Sequence, residues 1–105
     1  MENKILSYLG FAAKARKLVA GYNTCLYMME KKKIRLLLLA EDLSENSVKK
    51  MVSAAERCKV PCKIYGKCEQ LSRITGNVGK GIFGITDENF AKVISDGIEH
   101  IQSGK

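Results

Sequence analysis

Nine residues, "IRLLLLAED" at positions 34 to 42, constrain this chain more than any other stretch. Four consecutive leucines put an apolar side chain on both faces of an extended segment. The run is too short for a helix of ordinary length and far too short to cross a bilayer. Such a strand is stable only inside a sheet covered on both sides. The chain must therefore supply helices for two outer layers.

The rest of the sequence does so. Ile5, Leu6, Leu9, Ala12 and Ala13 recur at helical spacing and predict an amphipathic helix over residues 3–14. "KLVAG" reads as a short strand ended by Gly21, followed by a helix over residues 22–32 with Cys25, Met28 and Met29 inward. Ser44 is a good N-cap for a helix carrying Val48, Met51, Val52 and Ala55. Pro61 breaks the chain before the strand candidate "CKIYG", and "CEQLSRITG" reads as a short helix closed by Gly76. "GIFGITD" is a further strand, and Thr86 or Asp87 caps a last helix along Phe90, Val93, Ile94, Ile98 and Ile101. Alternating helices and strands predict an α/β fold, a three-layer α/β/α sandwich with a mixed, roughly four-stranded sheet. With 105 residues, no repeat and no linker-like segment, one domain over 1–105 is expected.

Catalytic and metal chemistry find little support. The lone His100 lacks an evident partner and sits where a histidine favours a helix dipole. Cys25, Cys58, Cys62 and Cys68 lack the close pairing of a zinc site and read as free, partly buried thiols. "GNVGKG" (76–81) has no G-K-[ST] ending and leads into a strand, so it is not a phosphate-binding P-loop. Glu41 and Asp42 sit at the end of the leucine strand, where they either shape the turn before Ser44 or face a ligand. A non-catalytic protein without metal or cofactor is expected.

Charge is the positive clue. Residues 1–35 carry eight Lys/Arg against two acids, whereas residues 36–105 carry ten against nine. Nearly all of the net +7 thus lies in the first third, which points to a polyanionic partner. The N-terminus reads as an amphipathic helix rather than a signal peptide, so a cytoplasmic protein without a membrane partner is expected. On the wheel of the second helix, Asn23, Thr24, Tyr27, Glu30 and Lys31 face outward. Asn23 carries both a donor and an acceptor, as base-edge reading requires, and Tyr27 can stack on a base or lie flat on the helix. The competing reading is purely structural: Asn and Thr cap helix starts, and lysines complement helix ends.

Nearly the whole chain resembles a known family, from "LGFAAKARKLVAG" through "LLLLAEDLSENS", "KVPCKIYG" and "EQLSRITG" to "GIFGITDENFAK". It is similar to the ribosomal protein seven-Ae/thirty-e superfamily of kink-turn RNA binders, and most of all to its short bacterial, YlxQ-like branch. The resemblance implies an α/β/α sandwich, a non-catalytic protein, and structured RNA, ribosomal RNA included, as partner. The family motif G-x-N-E-x-x-K maps onto Gly21 and Asn23, with Thr24 in place of Glu and Tyr27 in place of Lys. Its second contact, the loop before the last strand, maps onto Val78 to Gly81, and Ser72 replaces a usual glycine. The expected RNA face is Gly21, Asn23, Thr24, Tyr27 and Lys31, flanked by Lys17, Arg35 and the loop Gly79, Lys80 and Gly81. A ribosome-associated monomer is expected, the alternative being a protein-interaction module of the same fold with little or no RNA affinity.

Overall fold

The computed structural model describes residues 2–103. In chain order the elements are α1 (Glu2–Lys14), β1 (Leu18–Ala20), α2 (Tyr22–Glu30), β2 (Leu36–Leu39) and α3 (Glu45–Cys58). They continue with β3 (Cys62–Ile64), α4 (Cys68–Thr75), β4 (Ile82–Ile85) and α5 (Glu88–Ser103). The four strands form one mixed sheet in the order β1-β4-β2-β3. β4 runs antiparallel to both neighbours, pairing Ala20 with Phe83 and Leu39 with Ile82, while β2 and β3 are parallel, pairing Leu37 with Cys62.

The leucine run behaves as its composition demands. Leu36 and Leu38 join Ile5, Leu9, Leu71, Phe83 and Ile94 on one face of the sheet. Leu37 and Leu39 join Cys25, Met29, Met51 and Ala54 on the other. Period-two alternation thus feeds two separate cores from one strand. Helices α1, α4 and α5 cover the first face, and α2 and α3 cover the second. Full burial of each leucine is worth roughly 1.5–3 kcal/mol, so this strand alone anchors both layers.

Capping chemistry sets the helix ends. Ser44 accepts the Ser47 N–H at 3.2 Å and starts α3, and Asp87, not Thr86, accepts the Phe90 N–H at 2.9 Å to start α5. α2 ends at Glu30, two residues before the expected boundary. Lys32 turns left-handed (φ 60°), so the Lys33 N–H bonds the Met28 carbonyl and the Lys32 N–H the Met29 carbonyl. This Schellman closure recurs with Arg16 after α1, Lys59 after α3 and Gly76 after α4. The expected apolar stripe of α5 needs one correction. Val93 is 40% exposed, and the buried positions are Ala91, Ile94 and Ile98, because α5 packs along a narrower seam than its composition allows.

Strand direction divides the molecule into two poles. β1 and β2 end, and β4 begins, at one of them, with Gly21, Ala40 and Gly81 as neighbours: Gly21 N–H donates to Ile82 O at 2.8 Å and Ala40 N–H to Gly81 O at 2.9 Å. This is the glycine pole. At the other, Lys17 O accepts from Thr86 N–H at 2.9 Å and Arg35 N–H donates to Ile85 O at 2.7 Å. Lys17 and Arg35 therefore flank the end of β4, and this is the basic pole.

Candidate nucleic-acid interface

Helix α2 begins at Gly21, whose φ of 105° and ψ of 150° suit a residue without a Cβ. No side chain caps this helix start, and no acid lies in its first turn. The leading N–H groups, which have no intrahelical partner, are left facing outward beside the Lys80 side chain. A Cβ on Gly21 would stand 3.6 Å from Lys80 Nζ, so the glycine also lets the ammonium lie over the backbone. Positive helix end and ammonium together make an electropositive corner suited to a phosphate.

Asn23 and Thr24 occupy the second and third positions of α2, inside the first turn. They are exposed, and their side chains make no hydrogen bond to another described residue. The N-cap position falls on Gly21, so neither side chain caps the helix and both are available to a partner. One turn on, Tyr27 is 59% exposed, with Lys31 Nζ 5.4 Å from its ring centroid. This cation–π contact sets the Lys31 ammonium over one ring face while the ring stays largely exposed. Cys25 and Met29 anchor the opposite side of α2, and Met28 is half-buried. The Cys25 thiol points to Val19 O and Ile82 O, each at 3.9 Å, and burial pushes it up to about 12. It is an inert fastening between helix and sheet.

The loop before β4 comes to the helix start as expected, but its residues do different things. Lys80 lies on Gly21, Gly79 turns the chain at φ 80° in open space, and Gly81 is packed shut. A Cβ on Gly81 would collide with Cys68 Sγ and stand 2.8 Å from Leu43 Cδ2. Gly81 is thus a packing residue, closed to any partner.

Lys17 and Arg35 do not flank this corner. β1 carries the chain from Lys17 to Gly21, a span of about 13 Å for four extended residues. Arg35 likewise lies below β2, and Lys31 is at the far end of α2, about 13 Å along the helix. The expected face is therefore a track along α2 with a corner at one end and cations at the other. Spacing in the sequence cannot reveal this, since it does not state which end of a strand a residue joins.

Glu41 and Asp42 sit in the turn before Ser44, and their side chains do something neither expectation contained. Glu41 Oε2 accepts the Gly66 N–H at 3.3 Å, and Asp42 Oδ1 accepts the Cys68 N–H at 2.9 Å. They clasp the segment between β3 and α4, and the Cys68 N–H holds the Asp42 carboxyl below its ordinary range. Lys67 stands 3.5 Å from Glu41. Ser72, the other departure from the family pattern, is buried on α4 with its hydroxyl donated to Glu69 O at 3.2 Å.

Sequence reading missed one feature beside α2. Helix α3 brings Lys49, Lys50 and Arg57 against Tyr22 and Leu26, lining an open groove of about 340 Å³. Arg57 is held only loosely by Glu30, at 3.7 Å. The signal lay in the α3 sequence, where both lysines precede the buried Met51, but the partner helix was not identifiable. Elsewhere among the described residues, no group of three or more His, Cys, Asp or Glu converges to hold a metal ion. No helix among them is long and apolar enough to cross a membrane.

Fold and site together define a small three-layer α/β/α domain that presents the uncapped start of one helix against a glycine-lysine loop. Residues 3–95 match the Ribosomal protein L7Ae/L30e/S12e/Gadd45 family, and the chain belongs to it. It is 32% identical over 99 residues to the RNA-binding protein YlxQ of Enterococcus faecium, covering 91% of this chain and 92% of that protein. Identity to the RNA-binding protein YlxQ of Bacillus subtilis is 35% over 88 residues, covering 83% of this chain and 88% of that protein. Among solved structures, a protein of unknown function from Bacillus halodurans C superposes with a TM-score of 0.88 at 27% identity, covering 91% and 97% of the two chains. The Giardia lamblia 15.5kD RNA binding protein shares the fold, with a TM-score of 0.80 at 21% identity over 95% and 88%.

Proposed function

We propose that this chain is a small, non-catalytic RNA-binding protein, ribosome-associated, that recognises a kink-turn-like or other structured RNA through α2 and the Lys80 loop. One observation carries the reading: Asn23 and Thr24 are exposed and unengaged at an uncapped helix start, beside the Lys80 ammonium. Family membership and the likeness to two proteins named RNA-binding protein YlxQ support it. Lys80 and the first N–H groups of α2 take a phosphate, Asn23 and Thr24 meet base edges, and Tyr27 stacks. Thr24 has no carboxylate to accept two guanine N–H donors, which lowers discrimination by about 1–3 kcal/mol relative to a bidentate contact.

The test is affinity for a kink-turn RNA and for a plain duplex across a salt series. Tighter binding to the kink-turn, with Asn23→Ala narrowing the gap, is the expected result. Equal weak binding to both would remove kink-turn recognition, and no binding at low salt would remove RNA binding altogether. Protein partners that persist after nuclease treatment, in a chain that binds no RNA, would assign the same fold to protein interaction.

A further inference from the structure

The cationic excess of the first third does not gather at the glycine pole. Lys14, Arg16 and Lys17 close α1 and enter β1, while Lys31, Lys32, Lys33 and Arg35 close α2 and enter β2. Lys59 closes α3 just before Pro61, whose carbonyl accepts the Leu37 N–H at 2.8 Å. Three of the four strand ends at the basic pole thus carry cations. All eight side chains are exposed, and none forms an ion pair with another described residue. Glu30, Glu56, Asp87, Glu88 and Asp96 lie at or near the same end, but Glu30 stands 3.7 Å from Arg57 and Asp87 is occupied in capping α5, and eight cations against five acids leave the excess positive.

Three of these cations stand where the backbone disfavours them. Arg16, Lys32 and Lys59 are the described non-glycine residues with positive φ, at 61°, 60° and 60°. Each fills the left-handed position of a Schellman closure, which glycine adopts without strain. α4, which leads to the glycine pole, closes with Gly76 in the same motif. The helix dipole favours a cation throughout a last turn and does not call for one at the left-handed residue. A cation at all three helix ends of one pole, and glycine at the helix end leading to the other, separates charge placement from folding preference.

We propose that the basic pole is a second RNA contact, which holds the phosphate backbone of the RNA engaged by α2 and reads no bases. This rests on the RNA reading of α2 given above. Exposed ammonium and guanidinium groups that form no ion pair suit phosphate, and the pole lies about 13 Å from the Lys80 corner along α2. One strand presents a charge about every 3.4 Å, so roughly four phosphates fit between the two poles.

Glycine substitution provides a test in which folding is not at risk. The triple variant Arg16→Gly, Lys32→Gly and Lys59→Gly removes three charges while giving each closure its preferred residue. Its control is Lys4→Gln, Lys63→Gln and Arg73→Gln, which removes three charges from α1, β3 and α4, outside the cluster of eight. With the kink-turn RNA as probe, the slope of log affinity against log salt should become shallower by about two to three in the glycine triple. Affinity at 0.1 M salt should fall about tenfold or more, with the preference for kink-turn over duplex unchanged. The control should keep the wild-type slope. An unchanged slope in the glycine triple, or an equal loss in the control, would overturn the basic pole as a contact while leaving the α2 reading intact. Failure of the wild-type chain to bind either RNA would instead overturn that reading, and the pole with it.

Discussion

The two poles of the sheet are built on opposite principles. At the glycine pole the chain is tied down: Gly81 is sealed under Cys68 and Leu43, Glu41 and Asp42 clasp the backbone beyond β3, and Gly21 holds a conformation reserved for glycine. Asn23, Thr24 and Lys80 are presented from this framework. At the basic pole the reverse holds. Eight exposed cations without ion partners sit on loop ends, three of them in strained backbone. Base reading needs fixed donors and acceptors, whereas phosphate attraction tolerates mobile charge. The roles proposed for the two poles follow that difference.

The largest test of this contrast is at Gly81. Gly81→Ala should destabilise the fold by about 3 kcal/mol, since a methyl there must displace Cys68 or Leu43. Urea unfolding measures it, and a loss under 1 kcal/mol would show that the glycine pole is not closely packed. Gly21→Ala should cost about 1–2 kcal/mol through backbone strain alone, because the added Cβ meets only the flexible end of Lys80. Asn23→Ala should change stability by less than about 0.5 kcal/mol, as its side chain bonds nothing in the described structure. Its effect should appear in RNA discrimination instead.

At the basic pole the sign reverses. Lys32→Gly should stabilise the protein by up to about 1 kcal/mol, left-handed strain being relieved against the entropy of a glycine. A clear loss of stability would break the claim that charge there is maintained against folding preference. The smallest effect concerns acid. Asp42 has a lowered folded pKa, so its contribution is complete above its ordinary 3.8 and is lost as pH falls through the lower folded value. Hydrogen exchange at the Cys68 amide should therefore gain protection in the wild type as pH rises through that lowered value, beyond the intrinsic rate, and Asp42→Asn should abolish that gain.

Much of the fold was legible because its determinants are local. Period-two leucines, period-3.6 apolar stripes, Ser44 and Gly76 each act within a few residues, and every helix and strand appears where these signals place it. Misplaced details had local causes of another kind: Lys32 took the left-handed turn that ended α2 early, and Val93 fell just outside the packed seam of α5. The meeting of the Lys80 loop with the Gly21 end of α2 was also readable, through family resemblance, and the structure brings the two together. The status of Asn23 and Thr24 as unengaged groups was not, because a capping role and a free side chain look alike until the helix start is located.

By itself, the sequence determined an α/β sandwich with a doubly covered central strand, and an excess of positive charge confined to the first third. Only the tertiary structure decided where that charge stands. Strand order and the antiparallel setting of β4 place Lys17 about 13 Å, and Arg35 about 16 Å, from the glycine loop they were expected to flank. They also bring Glu41 and Asp42 onto the backbone of residues 66 and 68, and leave Gly81 no room for a side chain. Each of these depends on pairings between segments distant in the chain. Backbone hydrogen bonds and burial choose those pairings, and no local pattern encodes them.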